Sequence, residues 1–445
     1  MPRPAPSKPD IALDGGLAAR RAALAVVERA LDHRGGLEEA LAGPAMRALE
    51  SRDRGFARVL AMTVLRRKGG LDRILQQRLA KPPPEAVLAL LRLGAAQLLH
   101  LETPGHAAVA TTVTLAGEMQ ATRPFKPLVN AVLRGMGRDG AAEVPPEALA
   151  PDWLLARWRA AYGEAAPAAI AAVIPDEPAT DLTLRDPSGS QALAEAIGAE
   201  ILPGGSLRTE RRGEVPDWPG YGEGGWWVQD ASAAVPARLL GAAPGEDVLD
   251  LCAAPGGKTL QLAAAGGRVT ALDRSAVRLE RVVQNLQRIG LQAETVAADA
   301  AAWTDPRRFD AVLLDAPCTA TGTFRRHPDV LWATRPGDIV KLAGVQRRLL
   351  DAAAGRVRDG GRLVYCVCSL EPEEGEAQAE AFLTTHPDFR LDRIEAGEGG
   401  APEDSVTSAG LLRILPHHRS GGTDGFFAAR FRRAAPALAG TRSPG

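Results

Sequence analysis

Four cysteines, Cys252, Cys318, Cys366 and Cys368, are the only ones in 445 residues, and all lie in the second half of the chain. Each stands at or near the end of an expected strand. Four are too few for a disulfide framework in a chain of this length. Cys-x-Cys plus two singletons fits no familiar zinc-ligand spacing, so no metal is expected. A buried cysteine is often no more than a small apolar residue. Cys318 and Cys368, however, each follow a strand of what reads as one sheet, and Asp315 and Pro317 accompany Cys318. Two thiols and a carboxylate at one sheet edge can run covalent chemistry if a thiolate forms. A free thiol has a pKa of about 8.5, so ionising it near pH 7 costs roughly 2 kcal/mol. Lys258 and nearby backbone N–H groups could offset part of that cost.

The stretch that must position these groups is Val248-Leu-Asp-Leu-Cys-Ala-Ala-Pro-Gly-Gly-Lys-Thr259. Its apolar start reads as a buried parallel strand, Pro255-Gly-Gly257 as a turn, and Thr259 onward as a helix. Strand, glycine turn and helix open a nucleotide-binding α/β sheet. A P-loop needs Gly-x-x-x-x-Gly-Lys-Ser/Thr, and Cys252 replaces its first glycine. The dinucleotide pattern Gly-x-Gly-x-x-Gly is absent. An adenosyl ligand without phosphates remains. Asp273 ends the second expected strand, where a ribose diol would be held, and Asp299 follows the third. Either acid taken singly could be an ordinary strand-end turn residue.

Two cysteines and an acid beside an adenosyl pocket suggest activation of a poor nucleophile. Carbon 5 of cytosine does not attack a methyl group unaided. A thiolate added at carbon 6 makes the ring an enamine with a nucleophilic carbon 5. A carboxyl group near ring N3 and the exocyclic amine can stabilise that adduct.

Composition bounds the rest. Apolar residues make up 45%, aromatics 4%, and the formal net charge is −1, so any nucleic-acid surface must be a local basic patch. No apolar run approaches a membrane span, the first residues lack a signal-peptide core, and a cytoplasmic protein is expected. The expected fold class is multidomain: an all-α N-terminal domain, a small α+β module, and an α/β Rossmann-like domain. Residues 1–17 and 434–445 read as disordered tails, 18–138 as the helical domain, 139–150 as a linker, 151–225 as the small module, and 226–433 as the α/β domain. The helical domain is locally basic, with Arg52, Arg54, Arg58, Arg66, Arg67, Lys68, Arg73 and Arg78 against two acids between Ser51 and Leu79, and Arg123, Lys126, Arg134 and Arg138 beyond. Either a solvated face or phosphate binding would suit that pattern.

Four stretches carry a resemblance: Asp250-Leu-Cys-Ala-Ala-Pro-Gly-Gly-Lys-Thr259, Asp315-Ala-Pro-Cys-Thr-Ala-Thr-Gly322, Arg325-Arg-His-Pro-Asp-Val-Leu-Trp332 and Cys368-Ser-Leu-Glu-Pro-Glu-Glu374. Together they resemble the motifs of Sun/Fmu-type RNA cytosine-5 methyltransferases. The front domain resembles NusB-type RNA-binding proteins, through Asp53-Arg54-x-Phe56 and Leu65-Arg66. The combination is similar to the members of the family that modify bacterial 16S ribosomal RNA, with transfer RNA as the alternative substrate.

The resemblance implies S-adenosyl-L-methionine as cofactor. It would lie along Cys252, Ala253, Ala254, Pro255, Gly256, Gly257 and Lys258, with Asp273 on the ribose, Arg274 beside it, Asp299 near the adenine and Asp315 near the methionine end. It further implies Cys368 as nucleophile, Cys318 in release of the methylated base, and Asp315 and Lys258 in positioning the cytosine. RNA is the implied partner, with no membrane and a monomer expected. Asp424-Gly-Phe-Phe427 matches the family's closing strand. Two departures stand out: Val367 where the family usually has threonine, and Leu331 where a lysine is common.

Overall fold

A computed structural model describes residues 11–32, 36–140 and 143–435, and these divide into two units. The expected tails lie largely outside the described residues, as do residues 141 and 142 of the expected linker, although the first helix already begins at Ile11. No helix among the described residues is long and apolar enough to cross a membrane.

The first unit holds the chain through Asp176 together with Phe324–Thr334. Its helices are α1 (Ile11–Leu31), α2 (Leu37–Leu41), α3 (Pro44–Arg47), α4 (Ser51–Gln76), α5 (Glu85–Leu99), α6 (Gly105–Glu118), α7 (Lys126–Asp139), α8 (Asp152–Tyr162) and α9 (Ala166–Ala172). On α4, Leu60, Val64, Leu71 and Leu75 are buried at helical spacing, while Arg52, Arg54, Arg58 and Arg73 stay exposed. Helix α5 is buried on nearly every side and carries two polar groups inside. Arg92 pairs with Asp72 at 2.5 Å and with Glu85, and Gln97 accepts from Arg20 Nε at 2.6 Å. Both buried groups are therefore partnered, as interior polar atoms must be.

Phe324–Thr334 packs on this helical unit although it is encoded far downstream. Phe324 and Leu331 are fully buried, and the Phe324 ring lies 6.2 Å from Trp158. Leu37 N donates to Asp329 Oδ2 at 3.2 Å, and Lys68 Nζ sits 4.2 Å above the Trp332 ring. Gly69 makes room for this: a Cβ there would lie 2.1 Å from the Ala148 carbonyl and 3.1 Å from Trp332. Helices α8 and α9 also group here, whereas the sequence reading joins them to the strands that follow. The reason is packing, since Trp158 is buried in this unit.

The second unit begins with β1 (Thr180–Leu184), α10 (Ser190–Ile197), β2 (Ala199–Ile201), β3 (Leu207–Thr209) and β4 (Trp226–Val228). These strands form an antiparallel sheet in the order β2-β3-β1-β4. Strand β4 lies beyond the expected 225/226 boundary yet pairs with β1. After α11 (Ala231–Leu240) come β5 (Asp247–Leu251), α12 (Gly257–Ala264), β6 (Arg268–Asp273), α13 (Ala276–Ile289), β7 (Glu294–Ala297) and β8 (Phe309–Asp315). The chain then makes its excursion through α14 (Val330–Ala333) and returns with α15 (Pro336–Ala354), β9 (Val357–Val367), α16 (Glu376–Thr385), β10 (Phe389–Leu391), β11 (Leu412–Ile414) and β12 (Phe426–Arg433).

The large sheet runs β10-β12-β9-β8-β5-β6-β7, with β11 on β12. Strands β9, β8, β5, β6 and β7 are parallel, and β12 closes against β9 antiparallel. Strand alternation sends Leu249, Leu314, Leu363 and Tyr365 into one face and Val248, Leu313, Val364 and Cys366 into the other, all fully buried. Because both faces are covered, these strands read as unbroken apolar runs.

Candidate active site

The sheet reverses its winding at β5 and β8, and ligands bind such sheets outside the carboxyl ends of the strands there. That edge collects Cys252 after β5, Asp273 at the end of β6, Asp299 after β7, Asp315 at the end of β8 and Cys368 after β9. A cavity of about 360 Å3 opens among them, lined by Cys252, Ala254, Asp273, Arg274, Asp299, Asp315, Cys318 and Cys368. Of the residues expected on the cofactor, Ala253, Pro255, Gly256, Gly257 and Lys258 are not on its wall. A larger hollow of about 950 Å3 lies at the opposite strand ends. Two ion pairs line it, Arg268 with Asp247 at 2.8 Å and Arg307 with Glu294 at 2.7 Å, and no cysteine does.

Backbone bonds lock the two cysteine loops together. Ala316 N donates to the Cys366 carbonyl at 3.0 Å, and Gly322 N to the Cys368 carbonyl at 3.0 Å. Gly425 N donates to the Gly322 carbonyl at 2.8 Å. Gly322 cannot carry a side chain here, because its Cβ would lie 2.2 Å from the Gly425 oxygen. The Cys318 and Cys368 sulfurs come to 3.5 Å. The hydrogen bond to Cys368, then burial, holds the Cys318 thiol well above its usual range. Cys366 shares the face of Cys368 but is fully buried, with Sγ 3.5 Å from Asp315 Oδ1. Burial, then the Asp315 charge, pushes its thiol well up.

Lys258 lies behind the cavity wall and reaches it only through Asp315. Its Nζ sits 2.7 Å from Asp315 Oδ2, and the side chain is buried. Burial acts to lower the Lys258 pKa, but Asp315, together with Cys366 and Cys368, more than offsets it and the net shift is upward. The ammonium is thus engaged by a carboxylate instead of reaching toward a phosphate.

Cys252 adopts a left-handed φ of 61°, and burial, then the charge of Asp315, raises its thiol to about 12. Asp273 is buried and accepts from Ala254 N at 3.2 Å and Ser275 N at 2.9 Å, so it faces the cavity in a fixed pose. Arg278, one helical turn beyond, donates to the Ala254 carbonyl at 2.6 Å. Arg278 also lines the cavity and was missed from sequence, although its place just after Asp273 is a usable signal. Arg348 and Val345, also lining it, come from the middle of α15, where nothing local marks them. Among the described residues there is no cluster of ligating side chains that could hold a metal ion.

Asp250 gives a pH prediction. Burial raises its carboxyl to about 7, against the smaller opposing effect of a Thr259 hydroxyl at 2.6 Å. A raised folded pKa stabilises below the unfolded value of about 4, and that contribution is lost as pH rises through about 7. Asp250→Asn keeps the Thr259 bond and removes the titration. Its thermal midpoint should fall less between pH 4 and 7 than that of the wild type; equal slopes in a pH series of melts would refute this.

Comparison with known proteins accords with this geometry. Residues 237–432 match the family described as 16S rRNA methyltransferase RsmB/F, and residues 17–138 match the NusB family. The ribosomal RNA small subunit methyltransferase B of Sodalis glossinidius is 38% identical over 88% of this chain and 92% of its own length. The chain belongs to the 16S rRNA methyltransferase RsmB/F family. The Xanthomonas campestris member is 37% identical over 94% of this chain and 98% of its own length. Among solved structures, PH0851 superposes with a TM-score of 0.74 at 24% identity, covering 94% of this chain and 99% of its own. A methyltransferase homologue from Pyrococcus horikoshii gives 0.54 at 27% identity, over 64% and 95% of the two chains. The family is S-adenosylmethionine-dependent, and the cavity fits that group. It is of ligand size and offers a buried carboxylate at the end of β6 where a ribose would lie.

Proposed function

We propose that this protein methylates carbon 5 of a cytosine in 16S ribosomal RNA, in the cytoplasm, with Cys368 as nucleophile and Cys318 in product release. The observation that carries the reading is the pair of sulfurs 3.5 Å apart on a cavity that also holds Asp273, Asp299 and Asp315. Bound S-adenosylmethionine supplies a methyl group on a sulfonium centre, which departs as a neutral thioether. Asp273, Arg274 and Asp299 hold the adenosyl end, and the backbone from Cys252 to Ala254 flanks it.

Cys318 keeps its proton beside the Cys368 sulfur, and Cys368 gives its own to solvent. Cys368 then bonds to carbon 6, and the ring electrons move onto carbon 5. Asp315, steered by Lys258, accepts from the exocyclic amine and fixes the ring. After carbon 5 carries its new methyl group, its hydrogen leaves as a proton and the carbon 6–sulfur pair returns to Cys368. Once Cys368 is bonded to carbon 6, the sulfur contact and charge that held the Cys318 thiol up are gone, and Cys318, its own proton given to solvent, is the base within reach. Cys366 is too enclosed to compete. The exposed Arg52, Arg54, Arg58, Arg123 and Arg134 of the first unit supply phosphate contacts.

Bisulfite sequencing of ribosomal and transfer RNA from cells with and without the gene tests the substrate. One protected cytosine in 16S RNA should become convertible when the gene is lost. A change confined to transfer RNA would move the enzyme to that substrate, and no change in either would sink the reading.

A further inference from the structure

Glu374 is fully buried, within the acid-rich stretch Glu371-Pro-Glu-Glu-Gly-Glu376. Its carboxylate accepts from Thr319 N at 3.0 Å, Thr319 Oγ1 at 2.5 Å, Ser369 Oγ at 2.5 Å and Gln346 Nε2 at 3.0 Å. Thr319 directly follows Cys318 and Ser369 directly follows Cys368. One carboxylate therefore grips the neighbour of each active-site thiol. Three further bonds hold the clamp in place. The Tyr365 hydroxyl donates to the Glu374 carbonyl at 2.5 Å, Leu370 N donates to Thr321 Oγ1 at 3.0 Å, and Gln346 Nε2 donates to the Pro317 carbonyl at 2.9 Å.

We propose that Glu374 is a positioning residue that sets the spacing and alignment of the Cys318 and Cys368 sulfurs; this rests on the two-thiol reading above. A buried carboxylate with four neutral donors is a costly group to keep, and it is placed where no single backbone bond could fix both side chains. Its charge also helps keep the Cys318 thiol protonated. Glutamine at this position has one acceptor oxygen, and its amide would face the donors on Thr319, so the loops must part.

The test compares wild type, Glu374→Gln, Glu374→Asp and Thr319→Val. The first readout is binding of phenylarsine oxide, which bridges two thiols at this spacing, with Cys318→Ser as the one-thiol control. Glu374→Gln should bind it about a hundredfold more weakly, because the second thiol is captured intramolecularly only when aligned. The second readout is kinetic: kcat should fall about a hundredfold, as for a displacement of about 1 Å, while KM for RNA and S-adenosylmethionine binding hold. Glu374→Asp should recover part of both. Thr319→Val, which leaves the carboxylate in place, should show the same losses in weaker form and serves if Glu374→Gln does not fold. Unchanged arsenical binding and kcat in Glu374→Gln, or in Thr319→Val if that alone folds, overturns the clamp. Failure of the two-thiol reading would show differently, as full methylation by Cys368→Ala, and would leave the arsenical comparison intact.

Discussion

Cys368→Ala should abolish methylation and form no covalent RNA complex, whereas Cys318→Ala should accumulate a denaturant-resistant protein–RNA adduct. Removing the nucleophile of a cooperating site costs on the order of a millionfold in kcat. Removing its partner leaves the carbon 6 bond able to form but slow to break. The sulfurs are 3.5 Å apart, so both reach the same ring. A shifted band on a denaturing gel, with labelled RNA and S-adenosylmethionine present, reads the adduct. The opposite pattern, Cys318→Ala dead and free of adduct, would reverse the two roles. Retained activity in Cys368→Ala with loss in Cys366→Ala would transfer the nucleophile to Cys366, despite its complete burial.

The second large effect should come from the Lys258–Asp315 pair, and it should be asymmetric. The Lys258 side chain is 10% exposed and that of Asp315 33%. Asp315→Asn strands a buried ammonium, and breaking a buried pair in this way costs about 3–5 kcal/mol. Lys258→Met leaves a carboxylate that water can reach, so its loss of stability should be smaller. In activity the order is shared: both should lower kcat by about 10²–10⁴ if Asp315 holds the cytosine amine, with cofactor affinity less affected. Denaturation curves and single-turnover rates on the two variants check this. A larger destabilisation in Lys258→Met would mean that the burial argument is wrong.

The gathering of Asp315, Cys318 and Cys368 at one sheet edge was legible because such residue types are rarely placed together by packing alone. Asp315-x-Pro-Cys318 and Cys368-Ser369 each follow an apolar run, and such runs read as buried strands, so β5, β6, β8 and β9 could be placed close to where they lie. Cys366 and Cys368 share a face, as alternation requires. Lys258 was expected beside Asp315 at the cytosine, but the bond between the two was not legible, since only the folded chain brings the ends of β8 and α12 together. The place of Glu374 in the fold was not legible, for a different reason, although the residue closes one of the four quoted stretches. An acidic, glycine-bearing turn usually meets water, and nothing local shows that Thr319, Ser369 and Gln346 converge on it. The pairing of Trp226 and Trp227 with β1 was not legible, because it is a long-range contact that propensity does not encode.

The excursion of Phe324–Thr334 bears on how the chain is made. The helical unit is complete only when Phe324, Leu331 and Trp332 reach it. They leave the ribosome roughly 150 residues after Asp176, which at about 5–20 residues per second is a delay on the order of ten seconds. During that interval Trp158 lacks the partner that covers it in the finished protein. A fragment ending at 176 would be arrested in that nascent condition. The same dependence runs backward: removing the front helices uncovers three large side chains in the middle of the enzyme. The two units are therefore poor material for domain shuffling, since a cut at 176 divides the first unit from a piece of itself.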